Sequence, residues 1–88
     1  MQFSAKHILV ETLEKAQKVK SQLGSYSFED LAKTYSKCPS GKNGGDLGTF
    51  ARGQMVPEFE KAVEGLMPEA VSDPVQTQFG WHIIKRLA

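Results

Sequence analysis

Two histidines stand near opposite ends of the chain, His7 and His82, each followed by an aliphatic run, Ile8-Leu9-Val10 and Ile83-Ile84. An imidazole in such company sits in a buried context, where an unpaired ring nitrogen costs about 1–3 kcal/mol. Terminal strands of a small domain often pair at the centre of a sheet, which places these two rings side by side. Two neutral imidazoles can share one N–H···N bond, and hydroxyl or backbone groups must then hold the outer nitrogens. Thr77, on the approach to the last strand, can serve that purpose. Cys38 is the third reactive side chain, and a thiol beside an imidazole suggests nucleophilic chemistry. A zinc site built from Cys38, His7 and His82 lacks close ligand spacing and a fourth ligand. The plainest alternative is that both histidines satisfy each other in the core and set the sheet register.

Cys38 opens a second informative stretch, CPSGKNGGDLGTFARGQMVPEF, which runs to Phe59. Gly41, Gly44, Gly45, Gly48 and Gly53 crowd its first two thirds, giving backbone that can take positive φ and approach a ligand closely. Met55, Val56, Pro57 and Phe59 follow and can form a wall. A glycine-rich rim followed by apolar anchors suggests a shallow groove for something partly hydrophobic.

The elements that must position these groups read as follows. Phe3 to Val10 is a strand, with His7 and Leu9 on one face and Lys6, Ile8 and Val10 on the other. Thr12 caps a helix running to about Leu23, with Leu13, Ala16, Val19 and Leu23 along one stripe and Gly24 ending it in the C′ position. Only Glu11 separates strand from cap. Ser27 and Asp30 resemble a capping box opening a second helix through Phe28, Leu31, Ala32 and Tyr35. A short helical turn is expected around Ser40–Asn43. Leu47 to Ala51 is a short strand, and Gly48 inside it marks a bulge or a close backbone approach. Pro57 starts a helix to Glu64, stopped by Gly65, with Phe59, Ala62, Val63 and Leu66 facing inward. Val71 and Val75 flank Pro74 in a short edge strand. Gln78-Phe79-Gly80 turns into a last strand, Trp81 to Leu87, with His82 and Ile84 on one face.

Composition sets bounds on function. Eighty-eight residues make one domain, 1–88, with a modest core. A net charge of +1 provides no whole-protein attraction to nucleic acid or membrane. The split is uneven: residues 1–45 carry seven Lys and four acids, and 46–88 carry four basic residues and six acids. Lys15, Lys18 and Lys20, or Lys33 with Lys37, could line an anionic partner; the plainer reading is a solvated helix face. A single Cys forms no internal disulfide, which fits a reducing compartment. No apolar run reaches the roughly 18 residues of a membrane span, nor is there a signal-peptide core near Met1. The expected setting is the cytoplasm.

Taken together, HILV near the start, SxCPSGxxGGDLGxFxxGQMVPxFExA in the middle and VxTQFGWHIIK at the end resemble the parvulin family of peptidyl-prolyl cis/trans isomerases. The resemblance covers essentially the whole chain, with its blocks in order. It implies an α+β fold, a four-stranded antiparallel sheet surrounded by four helices in the order βα3βαβ2. It implies that His7 and His82 are the paired histidines with Thr77 in their hydrogen-bond network. It places Cys38 at a position that holds Cys or Asp in parvulins, which argues against covalent attack. Leu47, Met55 and Phe59 match the pocket for the substrate proline ring, and Phe79 falls beside it.

The function so implied is non-covalent rotation about X–Pro bonds in unfolded or flexible chains by a cofactor-free monomer. Its partners are proline-containing peptides and unfolded proteins. Phosphate-directed parvulins carry a long basic loop between the first strand and the first helix; here that loop is essentially Glu11, so no preference for phosphoserine-proline or phosphothreonine-proline is expected. A non-catalytic peptide-binding or chaperone module is the second reading. Contact with a membrane surface or DNA through the lysines is a third, resting on those lysines alone.

Overall fold

The computed structural model describes residues 2–88. Four strands, β1 (Gln2–Val10), β2 (Asp46–Ala51), β3 (Val75–Thr77) and β4 (Gly80–Arg86), form one antiparallel sheet in the order β2-β1-β4-β3. The chain's two end strands are therefore the inner pair, and β3 is an edge, where Pro74 costs no ladder bond. Three α-helices accompany the sheet: α1 (Leu13–Ser21), α2 (Phe28–Tyr35) and α3 (Pro57–Glu64). The fourth expected helix is a 3-10 turn, Pro39–Asn43, whose glycine content and short length do not support a full α-helix.

Both faces of the sheet are covered. Ile8, Val10 and Ile83 pack on one side against Ala16 and Val19 of α1 and Phe28, Leu31 and Ala32 of α2. Phe3, Ala5 and Ile84 face the other way, against Phe50 of β2 and Phe59 and Val63 of α3. His7 and His82 belong to this second face, because alternation puts them in phase with Ala5 and Ile84.

Local chemistry explains most element ends. The Thr12 hydroxyl accepts the Lys15 N–H at 3.2 Å, and Ser27 Oγ accepts the Asp30 N–H at 3.1 Å. Pro57 occupies the first turn of α3, where its missing N–H is not needed. The expected run of α1 to Leu23 is two residues too long. Gln22 and Leu23 donate to Val19 and Lys20 at 3.0 and 3.2 Å, so a tightened last turn satisfies the terminal carbonyls. Gly24 consequently does not act as a left-handed cap.

Gly48 resolves into one of its two expected roles. Ser4 pairs with Thr49 and Lys6 with Asp46, so β2 carries one residue more than β1 between those pairs. Gly48 has φ of 71° and open space where a Cβ would sit, which makes it a bulge residue rather than a point of close approach. Its N–H donates to Asp46 Oδ1 at 2.8 Å.

Candidate active site

On the inner pair, His7 lies opposite Ile84 and His82 opposite Leu9, so the histidines are diagonal neighbours on one face. Their rings are 5.1 Å apart between centroids and within 19° of parallel, and Nδ1 meets Nδ1 at 3.0 Å. Phe59, reaching up from α3, sets its edge against both rings at 5.6 and 5.5 Å. Each outer nitrogen has a hydroxyl partner. His82 Nε2 meets Thr77 Oγ1 at 2.7 Å and His7 Nε2 meets Ser40 Oγ at 3.2 Å. Ser40 in turn donates to Cys38 Sγ at 3.3 Å, and the Phe79 N–H donates to Thr77 Oγ1 at 3.2 Å.

Counting protons fixes the direction of this chain. One proton lies between the two Nδ1 atoms. If His7 supplies it, His82 must donate through Nε2 to Thr77 Oγ1, and the Thr77 hydroxyl proton then has no acceptor among the described residues. If His82 supplies it, Thr77 donates to His82, His82 to His7, His7 to Ser40 and Ser40 to Cys38, and every group is satisfied. The second arrangement wins on the penalty for a stranded donor in a residue that is only 8% exposed.

Charge reinforces it. Burial, aided by the neighbouring His82, lowers His7 from 6.5 to about 4, and burial alone lowers His82. Both rings are neutral near pH 7. The glycine-rich stretch sets His7's depth. Gly45, at φ of 83°, accepts the His7 N–H at 2.9 Å, and a Cβ on it would stand 2.3 Å from the His7 carbonyl oxygen.

Above the rings opens a cleft of about 500 Å³. Leu47, Met55, Phe59 and Phe79, the residues matched from sequence, all line it, with Cys38 at the rim. Phe79 is 62% exposed, an apolar ring presented to solvent at the cleft mouth. Thr77 does not line the cleft; it bonds His82 from the side. Sequence reasoning placed Val56 in the apolar wall but missed Ser40, Leu9, Pro39 and Gln54. Leu9 was in reach, since it shares the face of His7 by alternation. Ser40 had no such signal, because a hydroxyl inside a Pro/Gly turn has no periodicity. No hydrogen bond joins an imidazole to the thiol among the described residues; Ser40 Oγ bonds both His7 Nε2 and Cys38 Sγ.

Residues 4–88 match the family described as Rotamase, the PPIC-type PPIase domain. The chain is a parvulin. It is 52% identical over 86 residues to Foldase protein PrsA 1 of Bacillus cereus, an alignment spanning 96% of this chain and 30% of that protein. This parvulin therefore spans about a third of the length of the curated relatives it matches. The crystal structure of PrsA from Bacillus anthracis superposes with a TM-score of 0.96 at 45% identity, over 99% of this chain and 41% of that one. The solution structure of NmPin, the parvuline of Nitrosopumilus maritimus, superposes with a TM-score of 0.86 at 37% identity, over 99% and 96% of the two chains. The four-stranded antiparallel sheet is common ground for this parvulin and its structural neighbours.

Proposed function

We propose that residues 1–88 act as one isomerase domain that rotates X–Pro peptide bonds in flexible or unfolded chains, with His7, His82, Thr77 and Cys38 as its polar machinery and Leu47, Met55, Phe59 and Phe79 as its proline-ring pocket. The observation that carries this reading is the neutral, fully hydrogen-bonded imidazole pair flooring an apolar cleft.

An X–Pro bond has only a small cis/trans preference but a rotation barrier of about 18–20 kcal/mol. No bond needs to break. The twisted amide must be held better than either planar form. Twisting removes resonance, so the carbonyl loses polarity and the imide nitrogen gains a lone pair. A dry wall of Leu47, Met55 and Phe59 favours that less polar state. The neutral histidines keep formal charge away from the cleft floor, and their stacked, edge-packed rings hold it rigid. An acceleration of about ten-thousandfold corresponds to roughly 5.5 kcal/mol, within reach of a few such effects. Cys38 tunes polarity near the carbonyl of the residue before proline. The free thiol suits a reducing compartment, and the proposed setting is a cytoplasmic monomer.

NMR exchange on Ala-Pro peptides tests this: catalysed cis/trans exchange at substoichiometric enzyme is expected. Binding of the same peptides with no gain in exchange rate would leave a peptide-binding chaperone module instead, a reading that the exposed Phe79 at the cleft mouth favours.

A further inference from the structure

The lysines of the first half of the chain differ in their partners. Lys20 pairs with Asp73, but Lys15 and Lys18 have no ion-pair partner among the described residues. They lie one turn apart on α1, a like-charge spacing that is unfavourable unless an anion relieves it. Beside them is a second cavity, of about 230 Å³, lined by Lys15, Lys18, Lys37, Thr34, Tyr35 and Val10 and by no acid.

Lys37 belongs to both cavities. With the histidines neutral, it is the one formal charge among the described residues that line the apolar cleft. Its backbone N–H donates to the Leu9 carbonyl at 2.7 Å, which ties this residue to the strand edge beside the cleft floor. Its own partner is Glu11, at 3.5 Å, and both side chains are more than half exposed. Such a pair is worth at most about 1 kcal/mol and exchanges readily for another carboxylate.

We infer that Lys37, backed by Lys15 and Lys18, is a subsite that selects an aspartate or glutamate immediately before the substrate proline. This rests on the proposed function in one respect, the direction in which the peptide lies. With the proline ring among Leu47, Met55 and Phe59, and the preceding carbonyl towards Cys38, the preceding side chain passes over Lys37, the neighbour of Cys38. A single carboxylate replaces Glu11 on Lys37 and faces the two further lysines. Among its lining residues the subsite has no arginine fork to grip a phosphate at two points.

The test is kcat/KM for tetrapeptides carrying Glu, Gln, Lys or phosphoserine before proline, with the 88-residue chain. At low ionic strength the Glu peptide is expected to exceed the Gln peptide by about three- to fivefold, with Lys below Gln. The advantage should shrink at high salt. Lys37→Gln, and separately Lys15→Gln with Lys18→Gln, should each bring the Glu/Gln ratio towards one. Because the ratio is taken within one enzyme, a general loss of activity or of folded protein cancels. A ratio of one in the unaltered protein, or one that Lys37→Gln leaves unchanged, overturns the subsite; phosphoserine faster than Glu overturns its assignment to carboxylate. If no peptide is turned over, the isomerase reading fails, and the subsite is decided by titration: Glu binding tighter than Gln, lost in Lys37→Gln, upholds it, and equal binding overturns it.

Discussion

His7 Nδ1 and His82 Nδ1 face each other at 3.0 Å across the inner strand pair, 75 residues apart in sequence. Only one proton fits between them, so a proton added at His7 Nδ1 breaks the bond, one added at His82 Nε2 displaces the Thr77 hydroxyl proton, and either places a charge in a buried site. The folded protein therefore binds fewer protons than the unfolded chain between the unfolded histidine value of 6.5 and the folded His7 value of about 4. Stability is fully present above pH 6.5, falls as the pH drops through that window and levels near pH 4. His7 alone accounts for about 3 kcal/mol of this loss, and His82 adds to it in the same direction. Glu29 and Asp73, held low by hydrogen bonds from Lys6 and Lys20, add losses of their own as the pH falls through their ordinary values of 4.5 and 3.8, so the levelling near pH 4 is that of the histidine contribution alone. Urea unfolding from pH 8 to pH 4 checks this; a flat free energy between pH 7 and pH 5 would contradict it.

The direction of the proton chain is equally testable. Long-range proton–nitrogen NMR should find His82 protonated at Nδ1 and His7 at Nε2. Thr77→Val removes the only partner that His82 Nε2 has among the described residues while keeping the shape of the side chain. A loss of about 1–3 kcal/mol in unfolding free energy is expected, the penalty for a stranded buried nitrogen, and Thr77→Ser should recover most of it. The opposite tautomers in the unaltered protein would refute the assignment.

Gly45 and Gly24 make a matched pair. A methyl group at Gly45 would stand 2.3 Å from the His7 carbonyl oxygen on backbone at φ of 83°, whereas one at Gly24 meets nothing within 4 Å. Gly45→Ala should destabilise by several kcal/mol, the sum of αL strain and a displaced strand, and should shift the His7 ring resonances. Gly24→Ala should leave stability unchanged or raise it by about 0.4–1 kcal/mol. Thermal and urea unfolding of the two variants, measured side by side, separate the cases.

These contrasts also mark what the sequence could reveal. The inner strand pair was legible because His7 and His82 each sit in an apolar run whose alternation assigns a face. The bounds of α3 were legible because Pro57 and Gly65 punctuate it. The end of α1 was not: Gly24 signals a left-handed cap, but short-range bonds had already satisfied the carbonyls. Gly48 announced a bulge or a close approach, and only the register of β1 against β2 chose between them. Ser40 and the shared wall of Lys37 were hidden because each joins elements from different parts of the chain, and neither leaves a periodic trace.

Cys38→Asp probes how the polar rim works. The cysteine stands at the end of the proton chain, accepting from Ser40 at 3.3 Å, and it makes no hydrogen bond to an imidazole among the described residues. A carboxylate at the same position accepts the same hydroxyl proton, so the order of donors from Thr77 to Ser40 survives the exchange. It cannot act as a thiol nucleophile. If the side chain serves only to set polarity beside the substrate carbonyl, kcat/KM for an Ala-Pro peptide should stay within about tenfold, or 1.4 kcal/mol, of the unaltered protein. Cys38→Ala, which strands the Ser40 hydroxyl proton, should fall further than Cys38→Asp. A protease-coupled or NMR exchange assay decides it: complete loss in Cys38→Asp, with the fold intact by circular dichroism, would mean that sulfur chemistry itself is required.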